Sequence, residues 1–300
     1  MQTDPLVNDN SDPVIDVIGI LAMAVGLVFL SLALLTFVLC RRNPRVTNTA
    51  RINLCISLLL AHLLFLLTQK FLHNIQPQQL LCAVLAGILH FFFLSAFVWM
   101  FIDAALLFIS MKNLTKIRSN EKAGLLWKLL VVIGYAVPLF VVGVSAGVFP
   151  NGYGSERCWL KTGFLWSFLG PVSFILAANT ILFICILIII ISTLTNMKSK
   201  SLKIKRPESE HRFIISVALK TMSQFIILGC SWFLGYFAQS NKALEIIFLF
   251  LNSQQGTFIF LVYCVLSQEV RQLYMKWWRA LHAGRIPHTT EDLHTTTSRF

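Results

Sequence analysis

The chain has 300 residues, of which 56% are hydrophobic and 13% are charged, and its formal net charge is +12 at pH 7. A mean hydropathy of +0.73 excludes an ordinary soluble domain and indicates a polytopic membrane protein. The excess of positive charge does not indicate nucleic-acid binding, because membrane proteins concentrate Lys and Arg on one side of the bilayer.

Seven segments are long and apolar enough to cross a bilayer, since about 20 helical residues span the hydrocarbon. We therefore predict an all-α membrane protein, a seven-transmembrane helix bundle. Pro138 and Pro171 fall inside the fourth and fifth spans, where they predict bends. The predicted spans are 14–40, 50–70, 81–111, 126–149, 163–194, 213–238 and 244–266.

Shorter segments flank the predicted bundle. Residues 1–13 are polar and acidic and lack the features of a signal peptide. After the last span, apolar residues recur at helical spacing, which predicts an amphipathic helix lying in the membrane interface. The predicted organisation is a short extracellular segment over 1–13, a transmembrane domain over 14–267, an interfacial helix over 268–282 and a disordered cytoplasmic tail over 283–300.

The distribution of basic residues predicts the orientation of the chain. Of 25 Lys and Arg residues, 21 lie in or beside the first, third and fifth connections and the tail. Basic residues near span ends stay in the cytoplasm. The N-terminus is therefore expected outside and the C-terminus inside, in a multi-pass protein of the plasma membrane. The four remaining cations belong to the outer connections: Lys70, Arg157, Lys161 and Lys242.

Two of the seven cysteines fall outside the membrane in this topology. Cys82 opens the third span and Cys158 lies in the fourth connection. Two thiols in an oxidising compartment predict one disulfide, which would tie the top of the third helix to that loop.

Asp103 is the acidic residue that lies deep within a predicted span. A carboxylate in hydrocarbon costs several kcal/mol unless it is paired or protonated. Arg51, at the inner start of the second helix, is the expected partner, and the pair would join the inner halves of two helices. The alternative is a protonated or water-bridged Asp103 with a structural role.

The sequence offers little support for catalysis or for a cofactor. His62 and His90 stand alone on their spans without further metal ligands, and we interpret them as hydrogen-bonded core residues. No nucleophile–base pair stands out, and we predict no catalytic residue, metal or cofactor. The internal repeats of a transporter and the charge rings of a channel are also missing from the pattern.

Several ordered blocks of sequence resemble one receptor family. GFLWSFLGPV over 163–172, IILGCSWFLG over 226–235 and NSQQGTFIFLVYCVLS over 252–267 resemble the seven-helix domain of adhesion G-protein-coupled receptors. The subgroup with EGF-like extracellular modules is the most similar. Further matches are LHFFFLSAFVWM over 89–100, GYGSERCWL over 152–160 and KNLT over 112–115, so that the resemblance covers about 14–281.

This resemblance implies a transducer rather than an enzyme. A peptide agonist would enter from outside, the sixth helix would swing outward, and a heterotrimeric G protein would bind the inner helix ends. The implied agonist pocket comprises Phe97, Trp159, Trp166, Trp232 and Asn252. The implied activation switch comprises Arg51, Asp103, Gly229, Trp232, Gly235, Gln255 and Gly256. The expected G-protein contacts are Arg41, Arg42, Lys112, Lys116, Lys203, Lys205 and Arg206.

The sequence departs from the family pattern in three respects. The third helix carries Asp103-Ala104 where the family usually has Glu-Gly, and Arg51 stands where His is common, so an ion pair replaces a His–Glu contact. Residues 1–12 also lack the Phe and Met pattern of the tethered agonist that autoproteolysis exposes in the family. We therefore expect an agonist supplied from elsewhere, or a shortened chain.

Two other classes of function are compatible with the sequence. A non-signalling membrane scaffold, with the fold of a receptor but a decayed activation mechanism, is the main alternative. A transporter or an intramembrane enzyme is a third. Membrane lipids are expected partners in each case, whereas nucleic acid is not.

Overall fold

A computed structural model describes residues 13–39, 46–112, 120–155, 157–200 and 242–282. Nearly all of them are helical. Within these ranges the only strand-like pairing is an isolated antiparallel bridge between Tyr153 and Leu160. The predicted sixth span, 213–238, and the predicted tail, 283–300, lie outside the described residues.

The helices begin and end close to the predicted positions. In chain order they are α1 (Pro13–Leu39), α2 (Val46–Lys70), the short α3 (Leu72–Ile75), α4 (Gln79–Lys112), α5 (Asn120–Val148), α6 (Trp166–Lys200), α7 (Lys242–Ser253), α8 (Gln255–Phe260) and α9 (Gln268–His282). Helices α1, α2, α4, α5 and α6 are each long and apolar enough to cross a membrane. Pro138 and Pro171 lie inside α5 and α6, which continue beyond them.

Helix α4 forms the centre of the described bundle. It packs against α2, α5 and α6, and 56% of its membrane-spanning window is buried, compared with 11% for α5. A helix that is apolar on all sides suits such a position, because each face meets another helix. The burial of α4 is why side chains at both of its ends belong to the sites described below.

The seventh predicted span is broken rather than continuous. Helices α7 and α8 meet at Gln254 with a bend of 42° across the span, and a π-helical turn over Leu261–Val265 follows. The Gln254 side chain donates a hydrogen bond to the Ala22 carbonyl at 2.7 Å. An amide side chain that bonds to a neighbouring helix at a break is a common way to stabilise a kink.

Glycine allows α1 to approach this break closely. A Cβ added to Gly26 would overlap the Ser253 carbonyl oxygen, and one added to Gly256 would overlap the Gly26 carbonyl oxygen. Helices in membranes pack through small residues because these let two backbones come together. Gly256 therefore serves the packing of α8 against α1, and the break itself lies at Gln254.

Candidate functional site

The predicted disulfide is present and joins α4 to the loop between α5 and α6. Cys82 and Cys158 are bonded, with their Cα atoms 4.8 Å apart. Within the loop, the backbone N–H groups of Gly154 and Ser155 donate to the Trp159 carbonyl at 3.1 and 2.9 Å. Gly154 has a φ of +80° and its Cα faces the backbone of Ala83, so both its conformation and its space favour glycine. The loop is thus held over the end of the bundle that we call the disulfide end.

Below this loop lies a group of ring side chains, here called the aromatic cluster: His90, Phe93, Phe97, Trp159 and Phe168. The Trp159 ring meets Phe93 and Phe168 edge-on, each with centroids 5.8 Å apart. Phe168 also contacts Phe97 at 6.2 Å and His90 at 5.6 Å. Edge-to-face packing of this kind favours fixed ring orientations. The loop residue Trp159 therefore closes a cluster built by α4 and α6.

His90 also takes part in a polar contact within the disulfide end. Its Nδ1 lies 3.0 Å from the Tyr153 hydroxyl, as expected for a hydrogen-bonded core histidine. Burial raises the pKa of the Tyr153 phenol above its ordinary value of 10.0, so the hydroxyl is neutral at physiological pH. A neutral hydroxyl can donate or accept this bond, and the contact links the loop to α4.

The structure brings together only part of the predicted agonist pocket. Phe97 and Trp159 belong to the aromatic cluster, but Trp166 is 69% exposed at the start of α6. Residues two positions apart point to nearly opposite sides of a helix. Phe168 therefore faces the cluster, whereas Trp166 does not. Asn252 is half-buried on α7, and its Oδ1 has no hydrogen-bond partner among the described residues. Trp232 lies outside the described residues.

At the other end of α4, here called the ion-pair end, the predicted Arg51–Asp103 contact is present. Arg51 Nε on α2 lies 3.4 Å from Asp103 Oδ1, with Asp103 fully buried and the Arg51 side chain 18% exposed. A buried carboxylate next to a guanidinium avoids most of the cost of a lone charge in hydrocarbon. The contact stabilises the carboxylate; its role as a switch stays a prediction.

Tyr263, which the sequence analysis did not single out, completes this group. Its hydroxyl donates to Asp103 Oδ2 at 3.4 Å, and the Arg51 Cζ lies 4.7 Å from its ring centroid. A cation above a ring and a hydroxyl on its counter-ion strengthen the same pair. Tyr263 belongs to the π-helical turn, so the ion-pair group of Arg51, Asp103 and Tyr263 joins α2, α4 and the end of the seventh span.

Gln255, the predicted polar switch of the seventh helix, is fully buried at the start of α8. Both its amide atoms lack a hydrogen-bond partner among the described residues. A buried amide without a partner costs about 1–3 kcal/mol. The role of Gln255 as a switch stays a prediction.

Several predicted residues lie outside the part of the chain that the structure describes. Gly229 and Gly235, on the predicted sixth helix, and the G-protein contacts Arg41, Arg42, Lys116, Lys203, Lys205 and Arg206 all lie outside the described residues. Lys112 ends α4, but its side chain is likewise outside what is described. Within the described ranges, no three His, Cys, Asp or Glu side chains are arranged to hold a metal.

Long apolar helices, a buried ion pair and a loop held by a disulfide define a helical, multi-pass membrane protein. Comparison with known proteins then gives the family. Residues 12–259 match the family described as the 7 transmembrane receptor (Secretin family). The chain belongs to this family, which confirms the predicted seven-transmembrane helix bundle.

Individual relatives confirm the resemblance to adhesion receptors. The chain is 38% identical over 293 residues to adhesion G protein-coupled receptor E3 of Homo sapiens, covering 96% of this chain and 43% of that protein. It is 37% identical to receptor E2 of Homo sapiens (96% and 34%) and 38% identical to receptor E1 of Mus musculus (87% and 27%). The chain thus spans less than half the length of these relatives. The family to which the chain belongs is one of receptors rather than of enzymes.

Sequence reasoning missed two residues that organise these sites. Phe168 lies in the quoted block over 163–172, and Tyr263 in the block over 252–267. The resemblance to the receptor family pointed to Trp166, two residues before Phe168. Nothing in the sequence indicates that Tyr263 meets Asp103, since 160 residues separate them.

Proposed function

We propose that the chain transduces signals across the plasma membrane as an adhesion-type G-protein-coupled receptor. A peptide agonist would bind at the disulfide end, on the extracellular side, and a heterotrimeric G protein at the ion-pair end, in the cytoplasm. The N-terminus is then extracellular and the C-terminus cytoplasmic, in agreement with the positions of the basic residues.

One observation carries this proposal: α4 connects the two sites as a single buried helix. The disulfide cysteine Cys82 and the ion-pair carboxylate of Asp103 are about 30 Å apart along it, at about 1.5 Å per residue. A rigid element with a distinct site at each end is a physical route for coupling between an agonist and an intracellular partner.

The ion-pair group supports a two-state mechanism. Arg51 and Tyr263 both contact Asp103. Movement of the seventh span away from α2 and α4 would break the Tyr263 hydrogen bond to this buried charge and the contact of the Tyr263 ring with Arg51. That loss opposes activation until agonist binding offsets it. Replacing Asp103 by Asn weakens its contacts with Arg51 and Tyr263 with little change in volume.

G-protein dissociation in cells tests the proposal. We expect a hydrophobic agonist peptide to dissociate a G protein in cells that express the chain, Trp232→Ala to abolish this response, and Asp103→Asn to raise the response without peptide. Phe140→Leu is the control, because this residue on α5 is 73% exposed and contacts neither site. If surface-expressed protein dissociates no G protein in any condition, the proposal fails and a non-signalling scaffold replaces it; solute flux would support a transporter.

A further inference from the structure

We propose that residues 1–12 of this chain bind to the disulfide end, as an acidic segment that crosses the loop carrying Trp159. The segment contains three aspartates and no Lys or Arg: Asp4, Asp9 and Asp12. The surface that it would contact contains three exposed cations and is here called the cation surface: Lys70, Arg157 and Lys161. The chain thus supplies both sides of this contact.

The structure gathers the cation surface around one loop. Lys70 ends α2, and the side chain of the preceding residue, Gln69, donates a hydrogen bond to the Arg157 carbonyl at 3.4 Å. Lys161 lies at the base of the same loop, where its backbone N–H donates to the Gly152 carbonyl at 3.0 Å. Three of the four cations that the sequence assigns to the outer connections therefore lie around a single loop.

No described carboxylate balances these cations. Among the side chains that the structure describes, the carboxylate that forms an ion pair is Asp103, which lies at the other end of α4. Glu156, next to Arg157 in the sequence, lies outside the described residues. Even with Glu156 included, three cations and one carboxylate leave this surface positive. Like charges held close together repel one another, and an acidic segment would relieve that repulsion.

Helix α1 begins at the level of the cation surface. The Asn48 side chain on α2 donates to the Phe37 carbonyl on α1 at 3.2 Å, which aligns these two positions. Pro13 lies 24 residues before Phe37, or about 36 Å of helix at about 1.5 Å per residue. Lys70 lies 22 residues after Asn48, or about 33 Å of helix. Because α1 packs against α2, the point from which residues 1–12 extend lies beside Lys70.

The segment is long enough to reach the whole cation surface. An extended chain spans about 3.3 Å per residue, so Asp9 can lie up to about 13 Å from Pro13 and Asp4 up to about 30 Å. Neighbouring helices are about 8–10 Å apart, which places the end of α2 within reach of Asp9 and the loop within reach of Asp4. A tethered segment has an effective concentration of about millimolar, so that ion pairs that are individually weak suffice to hold it.

Apolar side chains near the cations favour a peptide over a sulfated polysaccharide as the occupant. Phe71 follows the last residue of α2 and is 47% exposed, and Leu80, at the start of α4, is 80% exposed. The segment carries Leu6 and Val7 between its first two aspartates. A polysaccharide would pair with the cations but would leave both apolar side chains of the surface in water.

Docking of the segment would cover the loop that closes the aromatic cluster. An agonist peptide that enters at the disulfide end would first have to displace the segment, which raises the peptide concentration that it needs. The docking itself does not depend on the proposed receptor function; only its effect on the agonist does.

Chemical cross-linking of the purified full chain in neutral micelles tests the docking. A water-soluble carbodiimide condenses a carboxylate and a neighbouring lysine amine into an amide, and mass spectrometry of the digested chain locates the link. We expect links from the aspartates of residues 1–12 to Lys70 or Lys161. These links should become about tenfold fewer at about 1 M salt, which screens exposed charges beyond about 3 Å. Lys276, on α9, should form no link to the segment.

Charge reversal supplies matched variants. Reversal of the cation surface should abolish the links: Lys70→Glu/Arg157→Glu/Lys161→Glu. Reversal of the segment in the same chain should restore them: Asp4→Lys/Asp9→Lys/Asp12→Lys. The control combines the reversed segment with reversed cations on α9 and should form no links: Arg271→Glu/Lys276→Glu/Arg279→Glu. Equal thermal unfolding in neutral micelles shows that the variants are folded.

Several outcomes overturn the proposal. These are the absence of links in the wild type, links that salt leaves unchanged, and links of equal yield to α9. A mixture of isotope-labelled and unlabelled chains should give links within one label only, and mixed links would assign the surface to a second copy of the chain. If no link forms and heparin binds the wild type more tightly than Lys70→Gln/Arg157→Gln/Lys161→Gln, the occupant is a sulfated polysaccharide. Intact links without any G-protein response would contradict the receptor function and not the docking.

Discussion

The two ends of α4 are held by different kinds of interaction. At the disulfide end, a covalent bond and several edge-to-face ring contacts fix the loop that carries Trp159. At the ion-pair end, α2 and the seventh span meet α4 through a single buried carboxylate. Many small apolar contacts change gradually when a structure moves, whereas a buried charge is either paired or costly. The disulfide end is therefore held by a covalent bond and many small contacts, whereas the ion-pair end depends on the pairing of one charge.

The largest effect is expected at the ion-pair end. Arg51→Met removes one partner and leaves the buried Asp103 carboxylate next to an apolar chain, which costs about 3–5 kcal/mol of unfolding free energy. The double variant Arg51→Met/Asp103→Leu should recover most of this loss, because no charge remains buried. Thermal unfolding in detergent measures both. A double variant as unstable as the single one would show that packing, not charge, dominates this group.

A smaller loss is expected when the covalent link at the other end is removed. Cys82→Ser/Cys158→Ser opens a bond between residues 76 positions apart, and removing such a bond typically costs about 2–4 kcal/mol. The same thermal unfolding measurement applies. Cys185→Ser is the control, because this thiol is free and only half-buried. Equal midpoints for the double variant and the wild type would mean that the aromatic cluster alone holds the loop.

Between the two ends, the break in the seventh span depends on its contact with α1. Gly26→Ala places a Cβ against the Ser253 carbonyl and should destabilise the protein by about 1–3 kcal/mol. Gly19→Ala is the matched control on the same helix. Nothing lies within 4 Å of a Cβ added at this position, so the stability of this variant should not be lower than that of the wild type. If both substitutions behave alike, helix propensity rather than close approach sets the requirement at Gly26.

The smallest effect separates the two aromatic residues at the start of α6. Phe168→Leu removes ring contacts with His90, Phe97 and Trp159 and should cost about 1 kcal/mol, whereas Trp166→Leu should change stability by less than about 0.5 kcal/mol. Unfolding midpoints in detergent compare them directly. A larger loss of stability for Trp166→Leu than for Phe168→Leu would indicate that Trp166 belongs to the agonist pocket that the sequence predicts.

Much of this arrangement could be predicted because it depends on short-range patterns. Apolar runs of sufficient length predict spans wherever they occur, since an unsatisfied backbone is too costly in lipid to allow any alternative to helix. The same reasoning placed Cys82 and Cys158 on one side of the membrane and identified Asp103 as a charge that needs a partner. Long apolar runs, paired cysteines and a carboxylate within a span each tolerate few environments. The presence of each in the sequence therefore predicts where it lies and what it must contact.

The remaining features depend on which helix faces meet. Whether Trp166 or Phe168 turns inward, and whether Trp277 or Trp278 stays exposed, depends on helix rotation, and apolar side chains tolerate either environment in a membrane protein. Tyr263 meets Asp103 from the π-helical turn that follows the break at Gln254 and helix α8. By itself, then, the sequence determined the number and order of the spans and the need for one ion pair. Only the tertiary structure decided which rings and which tyrosine surround these residues, because that choice depends on rotations of about 100° per residue that hydrophobicity does not distinguish.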